Sequence, residues 1–476
     1  MNPSMRDLTA IAPLLLVAGT ALVVVLVDAL AKENRTAGPV LTLAGLASAI
    51  VFALPALGDA PASAAFGGMI RTGGFSSYCT LVFCVSGVLT VLLSVSYIEA
   101  MVPAKGEYYP LILFAVSGMI LMAASGDLVI FFLGLELMSL SFYILAGFAR
   151  GRMTSNEAAL KYFLLGAFAT GFLLYGIALV YGATGSTGLA GFPSRTGGLQ
   201  QPLLLLGGLA LLMIGLMFKV GAVPFHMWVP DVYEGAPTTV SAFMSTGGKA
   251  AAFSGFLIIF TPAVLIMHPA LRDVAAAVAA ISMVAGNLIA VAQSSVKRML
   301  AYSSIAHAGY ILAGVVAANP AGSNGVLFYL MTYTLMNAGA FGVVSLLENP
   351  DGTFLTFDEC AGLSRRSPLV AALTAVFMFS LAGVPPFAGF FGKYYVFAGT
   401  VEAGFTWLAI VGVLMSVVSA YYYLRLVVLM YFKDQPGGQA VAGRPFGLAA
   451  VIIAAIALIG LGIFPSLLLS LTAHCF

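Results

Sequence analysis

Four lysines, one glutamate and two histidines stand in stretches that are otherwise almost wholly apolar: Lys161, Lys219, Lys249, Lys393, Glu136, His226 and His307. A charge at the centre of a lipid-spanning helix costs at least ~2.5–3.5 kcal/mol on insertion scales, so four such lysines cost on the order of 10 kcal/mol before any pairing. Charges placed there are expected to serve ion or proton movement. Lysine suits proton relay because burial disfavours its charged form and a nearby carboxylate favours it again. Moving a carboxylate's charge nearer or further then switches the lysine between holding and releasing a proton. The chemistry on offer is acid–base transfer.

The local settings differ. Glu136 lies mid-run in Gly134-Leu135-Glu136-Leu137-Met138 and needs a cationic partner or must stay protonated. Lys219, five residues before the helix-breaking Pro224, is its expected partner, as a working pair or as a static bridge between two helices. Glu157 and Lys161 are spaced i,i+4 in the favourable order and read equally as a surface pair or as part of a relay. Lys249 has no local acid, and its neighbours Gly247, Gly248, Ala250 and Ala251 leave room for water, so a relay site is expected. Lys393 follows the Pro385-Pro386 break; relay is the favoured reading over snorkelling towards an interface. His307 shares a polar stripe with Tyr302, Ser303 and Ser304, and His226 sits beside the first break. Each reads equally as a relay group or as a satisfied structural histidine. Arg425 reads as a snorkelling cation, because a guanidinium does not release protons at a useful pH.

The elements that must position these residues are set by composition. Of 476 residues 61% are hydrophobic and 8% charged, against about 25% charged in a soluble domain. Lipid is therefore the expected solvent and the fold class is an all-α polytopic membrane protein. A crossing helix needs roughly 20 apolar residues. About fourteen such segments occur, near 8–30, 38–57, 74–98, 109–125, 128–149, 155–182, 202–222, 237–261, 273–292, 299–318, 324–347, 368–399, 405–432 and 446–472. The seventh is interrupted at Pro224 and the twelfth at Pro385-Pro386. The main loops are expected at 182–201 and 348–367. The first apolar run is too long for a signal peptide and is read as a retained span.

Several functions are disfavoured. Cys79, Cys84, Cys360 and Cys475 form no CxxC pair, so neither a disulfide framework nor a metal or iron–sulfur site is expected. A net charge of +2 gives no reason to expect a nucleic-acid partner. No glycine-rich phosphate loop opens a helix. No cofactor is expected in this chain.

Basic residues orient the helices. Loops after odd-numbered spans hold eleven: Lys32, Arg35, Lys105, Arg150, Arg152, Lys297, Arg298, Arg365, Arg366, Lys433 and Arg444. The other side holds four: Arg6, Arg71, Arg195 and Arg272. Both termini are thus expected on the non-cytoplasmic side. Tyr-Ile-Leu-Ala-Gly occurs at 143–147 and again at 310–314, and Gly221-Ala222-Val223-Pro224-Phe225 is echoed by Gly383-Val384-Pro385-Pro386-Phe387. These echoes put two five-helix units in register, and five being odd, the second is inverted, as is typical of transporters. The expected organisation is three N-terminal helices over 1–105, a first repeat over 106–265, a second over 266–435 and a last helix over 436–476.

The run Phe218-Lys219-Val220-Gly221-Ala222-Val223-Pro224-Phe225-His226-Met227-Trp228-Val229-Pro230-Asp231 resembles the antiporter-like membrane subunits of proton-pumping NADH:quinone oxidoreductase, respiratory complex I, and the related subunits of multi-subunit Na⁺/H⁺ antiporters. The continuation Val232-Tyr233-Glu234-Gly235-Ala236-Pro237-Thr238 resembles the N branch in particular, and Lys393 also favours it. The resemblance spans nearly the whole chain. It implies that Glu136 and Lys219 form a coupling pair, that Lys249 is a central relay and that Lys393 lies at the outlet, with His307 near the polar axis between them. It implies partners too: other membrane subunits, with NADH, FMN, iron–sulfur clusters and quinone handled by partner subunits, in a bacterial inner membrane. Quinone reduction elsewhere would drive the protons. A cation/proton antiporter subunit is the alternative, and a passive scaffold a third reading. The second repeat departs from the first in having Ser303 about where the first has Glu136, which leaves Lys393 without an acid partner in the sequence.

Overall fold

The computed structural model describes residues 5–30, 36–57, 63–102, 106–192, 202–348, 355–433 and 443–475. Lys32, Arg35, Lys105 and Arg195, which enter the charge count above, lie outside the described residues, as do parts of both expected main loops. The chain is helical nearly throughout. Its main helices are α1 (Ala12–Leu30), α2 (Ala37–Ala53), α3 (Gly74–Met101), α4 (Tyr108–Ala123), α5 (Leu128–Ala146), α6 (Met153–Thr184), α7 (Pro202–Val220), α8 (Trp228–Gly235), α9 (Thr238–Ile259), α10 (Pro269–Val291), α11 (Val296–Ala317), α12 (Pro320–Leu347), α13 (Pro368–Ala382), α14 (Ala388–Glu402), α15 (Thr406–Phe432) and α16 (Pro445–Ile463). Among the described residues 12 helical segments are long and apolar enough to cross a membrane, and α4 and α13 are shorter apolar helices. That is compatible with the expected fourteen crossings. Ser63–Ala65 pairs antiparallel with Ile70–Thr72 in a short ribbon between α2 and α3.

Local chemistry sets many of the helix ends. Asp127 accepts from the Val129 N–H at 2.7 Å and caps α5, and Asn319 accepts from the Gly322 N–H at 2.7 Å and caps α12. Proline occupies the first turn of α10, α12, α13 and α16, where its missing N–H costs nothing. Close crossings rest on small residues: a Cβ on Gly118 of α4 would lie 2.5 Å from the Gly134 oxygen of α5, and one on Gly286 of α10 would lie 2.6 Å from the Ala306 nitrogen of α11.

Burial runs against apolarity. Helices α9, α11 and α12 are the most enclosed and are among the least apolar of the spans, whereas α1 is strongly apolar and mostly exposed. This is the expected arrangement when lipid is the solvent: apolar side chains face out, and the centre holds hydroxyls, amides and ammonium groups that must find partners inside.

The two interrupted spans end alike. In α7 the Ala222 N–H bonds to the Met217 oxygen at 2.9 Å and the Gly221 N–H to the Phe218 oxygen at 3.0 Å. In α13 the Val384 N–H bonds to the Phe379 oxygen at 3.0 Å and the Gly383 N–H to the Ser380 oxygen at 3.0 Å. Both are Schellman ends with a left-handed glycine, Gly221 at φ 72° and Gly383 at φ 87°. A cis X-Pro bond follows in each, at Val223-Pro224 and Pro385-Pro386. The matching ends are compatible with the expected repeat.

Candidate proton-relay site

The first break places Lys219 in the last turn of α7, buried against α5. Its ammonium donates to Ser139 Oγ at 2.8 Å and lies 5.7 Å from the centre of the Tyr143 ring. Ser139 in turn donates to the Leu135 oxygen at 2.6 Å. Glu136, one turn from Ser139 on α5, accepts from Thr170 of α6 at 3.0 Å. The expected Glu136–Lys219 pair is therefore not a contact ion pair. Lys219 reaches α5 at Ser139 instead, one turn from Glu136. Beyond the break, Trp228 donates its indole N–H to the Phe218 oxygen at 3.0 Å. It stacks on Tyr162 at 4.6 Å and on Phe218 at 5.5 Å.

Lys249 follows a single π turn, Met244–Gly248, within α9. Such turns recur at functional sites. The ammonium is wholly buried and donates to the backbone oxygen of Ser304 on α11. One turn further along α11 stands His307, buried and caged by tyrosines. Tyr329 OH lies 2.8 Å from its Nδ1 and Tyr423 OH 3.2 Å from its Nε2. Tyr310 and Tyr333 flank the ring at 5.5 and 5.1 Å. Ser303, at the place corresponding to Glu136, bonds to Tyr423.

Lys393 sits on α14 just past the second break. It donates to the Leu381 oxygen at 3.0 Å, the Ala382 oxygen at 2.9 Å and Ser416 Oγ at 2.6 Å. Those two carbonyls are the free C-terminal acceptors of α13, where a cation is favoured by the helix dipole. The ammonium also lies 5.1 Å from the centre of the Tyr310 ring. Ser304, His307 and Tyr310 thus form one stripe on α11, with Lys249 at one end and Lys393 at the other, over a helical rise of about 9 Å.

Two expected site residues stand apart. Lys161 is about 41% exposed and pairs with Glu157 at 2.7 Å and Asp231 at 2.8 Å. Asp231 also binds Arg298 at 3.0 Å, so this is a partly exposed ion network joining α6, α8 and α11. His226 lies half-buried in the first break with Nδ1 unbonded, and no hydrogen bond ties it to the three lysines. Sequence reasoning missed the neutral partners Ser139, Thr170, Ser416 and the tyrosine cage. Lys297, counted as a loop cation, is buried and donates to the Ala236 oxygen at 2.7 Å. Arg425 is not merely snorkelling: its guanidinium lies 4.6 Å from the centre of the Phe357 ring. Among the described residues no three His, Cys, Asp or Glu side chains converge as a metal site.

This arrangement was compared with known proteins. A family model described as NADH:quinone oxidoreductase/Mrp antiporter, transmembrane, matches residues 125–419. NADH-quinone oxidoreductase subunit N 1 of Chloroherpeton thalassium is 45% identical over 472 residues, covering 99% of this chain and 98% of that protein. The chain belongs to the NADH-quinone oxidoreductase subunit N family. Another member of the subunit N family, from Salinibacter ruber, is 46% identical over 96% of this chain and 93% of its own length. Among solved structures, a chain of respiratory complex I from Thermus thermophilus is 38% identical with a TM-score of 0.84, covering 97% of this chain and all 100% of its own. A chain of the Mrp complex from Dietzia sp. DQ12-45-1b has a TM-score of 0.85 at 23% identity, covering 98% of this chain and 96% of its own, a likeness of fold alone. The family model spans α5 to the middle of α15, so it contains Glu136, Lys219, Lys249, Lys393 and His307.

Proposed function

We propose that this chain is a proton-translocating membrane subunit of NADH:quinone oxidoreductase, in which protons pass along Lys219, Lys249 and Lys393 when quinone reduction in partner subunits drives them. The observation that carries the reading is the bonding of the three ammonium groups. All are buried, and each is hydrogen-bonded to uncharged oxygens. A buried cation with no contact counter-ion is stabilised by only a few hydrogen bonds and by distant charge, so a modest change in field decides whether it keeps its proton. Glu136 supplies such a field at Lys219 without sequestering it. A proton released from Lys219 passes to Lys249, then past His307 to Lys393 and outward. Lys161 and His226 lie beside this row and serve it, if at all, by shaping the first break.

The partners in this reading are the other membrane subunits of the complex, with NADH, FMN, iron–sulfur clusters and quinone held by partner subunits. The membrane is a bacterial inner membrane, with both termini on the non-cytoplasmic side; accessibility labelling of single cysteines near each terminus tests that placement. A cation/proton antiporter subunit shares the fold, and the Tyr233–Pro237 segment favours the redox-driven reading. The deciding experiment is Lys219→Ala in intact membranes at matched assembly. Loss of both NADH-driven quinone reduction and proton uptake supports the path. Wild-type values for both would make Lys219 structural and reject it.

A further inference from the structure

Tyr233 OH and Ser304 Oγ are buried and have no hydrogen-bond partner. An unmet buried hydroxyl costs about 1–3 kcal/mol, and one reason for its presence is a part in chemistry. The Lys249 ammonium donates to the backbone oxygen of Ser304 itself, and the Tyr233 hydroxyl stands beside Ser304 and Tyr333.

Tyr233 is linked to the end of α7 through Trp228. It belongs to α8, the half-helix beyond the first break. Its ring meets the edge of Trp228 at 5.9 Å, and Trp228 is bonded to the oxygen of Phe218, the neighbour of Lys219. The ring is fixed from behind by Phe341 at 6.2 Å, and the Tyr233 carbonyl accepts from Ser241 at 2.6 Å. So α8 carries both Trp228, bonded beside Lys219, and Tyr233, whose hydroxyl stands beside Ser304, the residue that Lys249 contacts.

We propose that the hydroxyls of Tyr233 and Ser304 form a proton-transfer site that delivers a proton to Lys249 from the Lys219 side. The proposal rests on the lysine path above. In the step, the Ser304 O–H bond breaks as an N–H bond forms on the neutral Lys249 amine. The Tyr233 proton moves to the Ser304 oxygen. The Tyr233 oxygen takes a proton relayed by water from the Lys219 ammonium, which becomes an amine. One proton enters and one leaves, both hydroxyls end as they began, and no electrons change hands.

The test uses Tyr233→Phe and Ser304→Ala in the assembled complex in its own membrane. Neither change breaks a hydrogen bond, so assembly and thermal midpoint are expected to stay at wild type. Coupled proton uptake is expected to fall about tenfold or more, with a larger solvent deuterium isotope effect, and the double variant to be no slower than the slower single. Wild-type uptake in both single variants overturns the proposal. So does loss of assembly in either, which would mean that the hydroxyl holds structure. Lys249→Ala, run in parallel, separates the two levels: if it is silent, the lysine path itself fails, and if it abolishes uptake while Tyr233→Phe is silent, only the hydroxyl site fails.

Discussion

Trp228 and Lys393 each stand beyond one of the two helix breaks, and each reaches back to the carbonyl end of the half-helix before it. Trp228 donates its indole N–H to Phe218, and Lys393 donates its ammonium to Leu381 and Ala382. One break is closed by a neutral donor and the other by a charge that can leave as a proton. The lysine of the first break, Lys219, lies instead before its glycine. The two units thus share a way of ending a helix and differ in where the titratable group sits.

That difference predicts unequal costs. Trp228→Phe loses one neutral hydrogen bond, about 1 kcal/mol, while Lys393→Ala strips charged bonds from two buried carbonyls, about 2 kcal/mol or more. Thermal inactivation of membranes carrying each variant should show the larger loss for Lys393→Ala, together with loss of proton uptake.

Ser139→Ala removes the one hydroxyl that Lys219 donates to, while leaving Glu136 and its bond from Thr170 in place. Proton uptake and quinone reduction are expected to fall together at normal assembly. Unchanged rates would mean that Glu136 and Lys219 meet directly in the working protein.

His307 separates stability from transfer. His307→Leu leaves the Tyr329 hydroxyl without this partner, at about 1–3 kcal/mol, while Tyr423 keeps its bond to Ser303. His307→Gln keeps a donor and an acceptor but cannot carry a proton. If His307 relays, glutamine restores thermal stability and not proton uptake; if it only packs the cage, glutamine restores both.

Lys161→Met should leave proton uptake close to wild type. The side chain is partly exposed and its ion pairs lie in a solvent-screened network, where such pairs contribute little. A large loss of uptake at full assembly would return Lys161 to the path.

The sequence by itself determined which stretches are apolar helices, where two of them break and that Lys219, Lys249 and Lys393 lie inside. Each of those follows from local composition weighed against lipid: a run of about 20 apolar residues is helical because its backbone has no other partner there, and Gly221-Ala222-Val223-Pro224 ends a helix through its own backbone restrictions. What each buried lysine touches was not legible. Lys219 meets Ser139 across 80 residues and Lys249 meets Ser304 across 55, contacts set by how neighbouring helices are rotated and crossed. Lys219 is the expected partner of Glu136, and packing placed Ser139 at the lysine's contact. Helix rotation also made Lys161 a peripheral residue and Lys297 a buried one, although hydropathy along the chain read them the other way round.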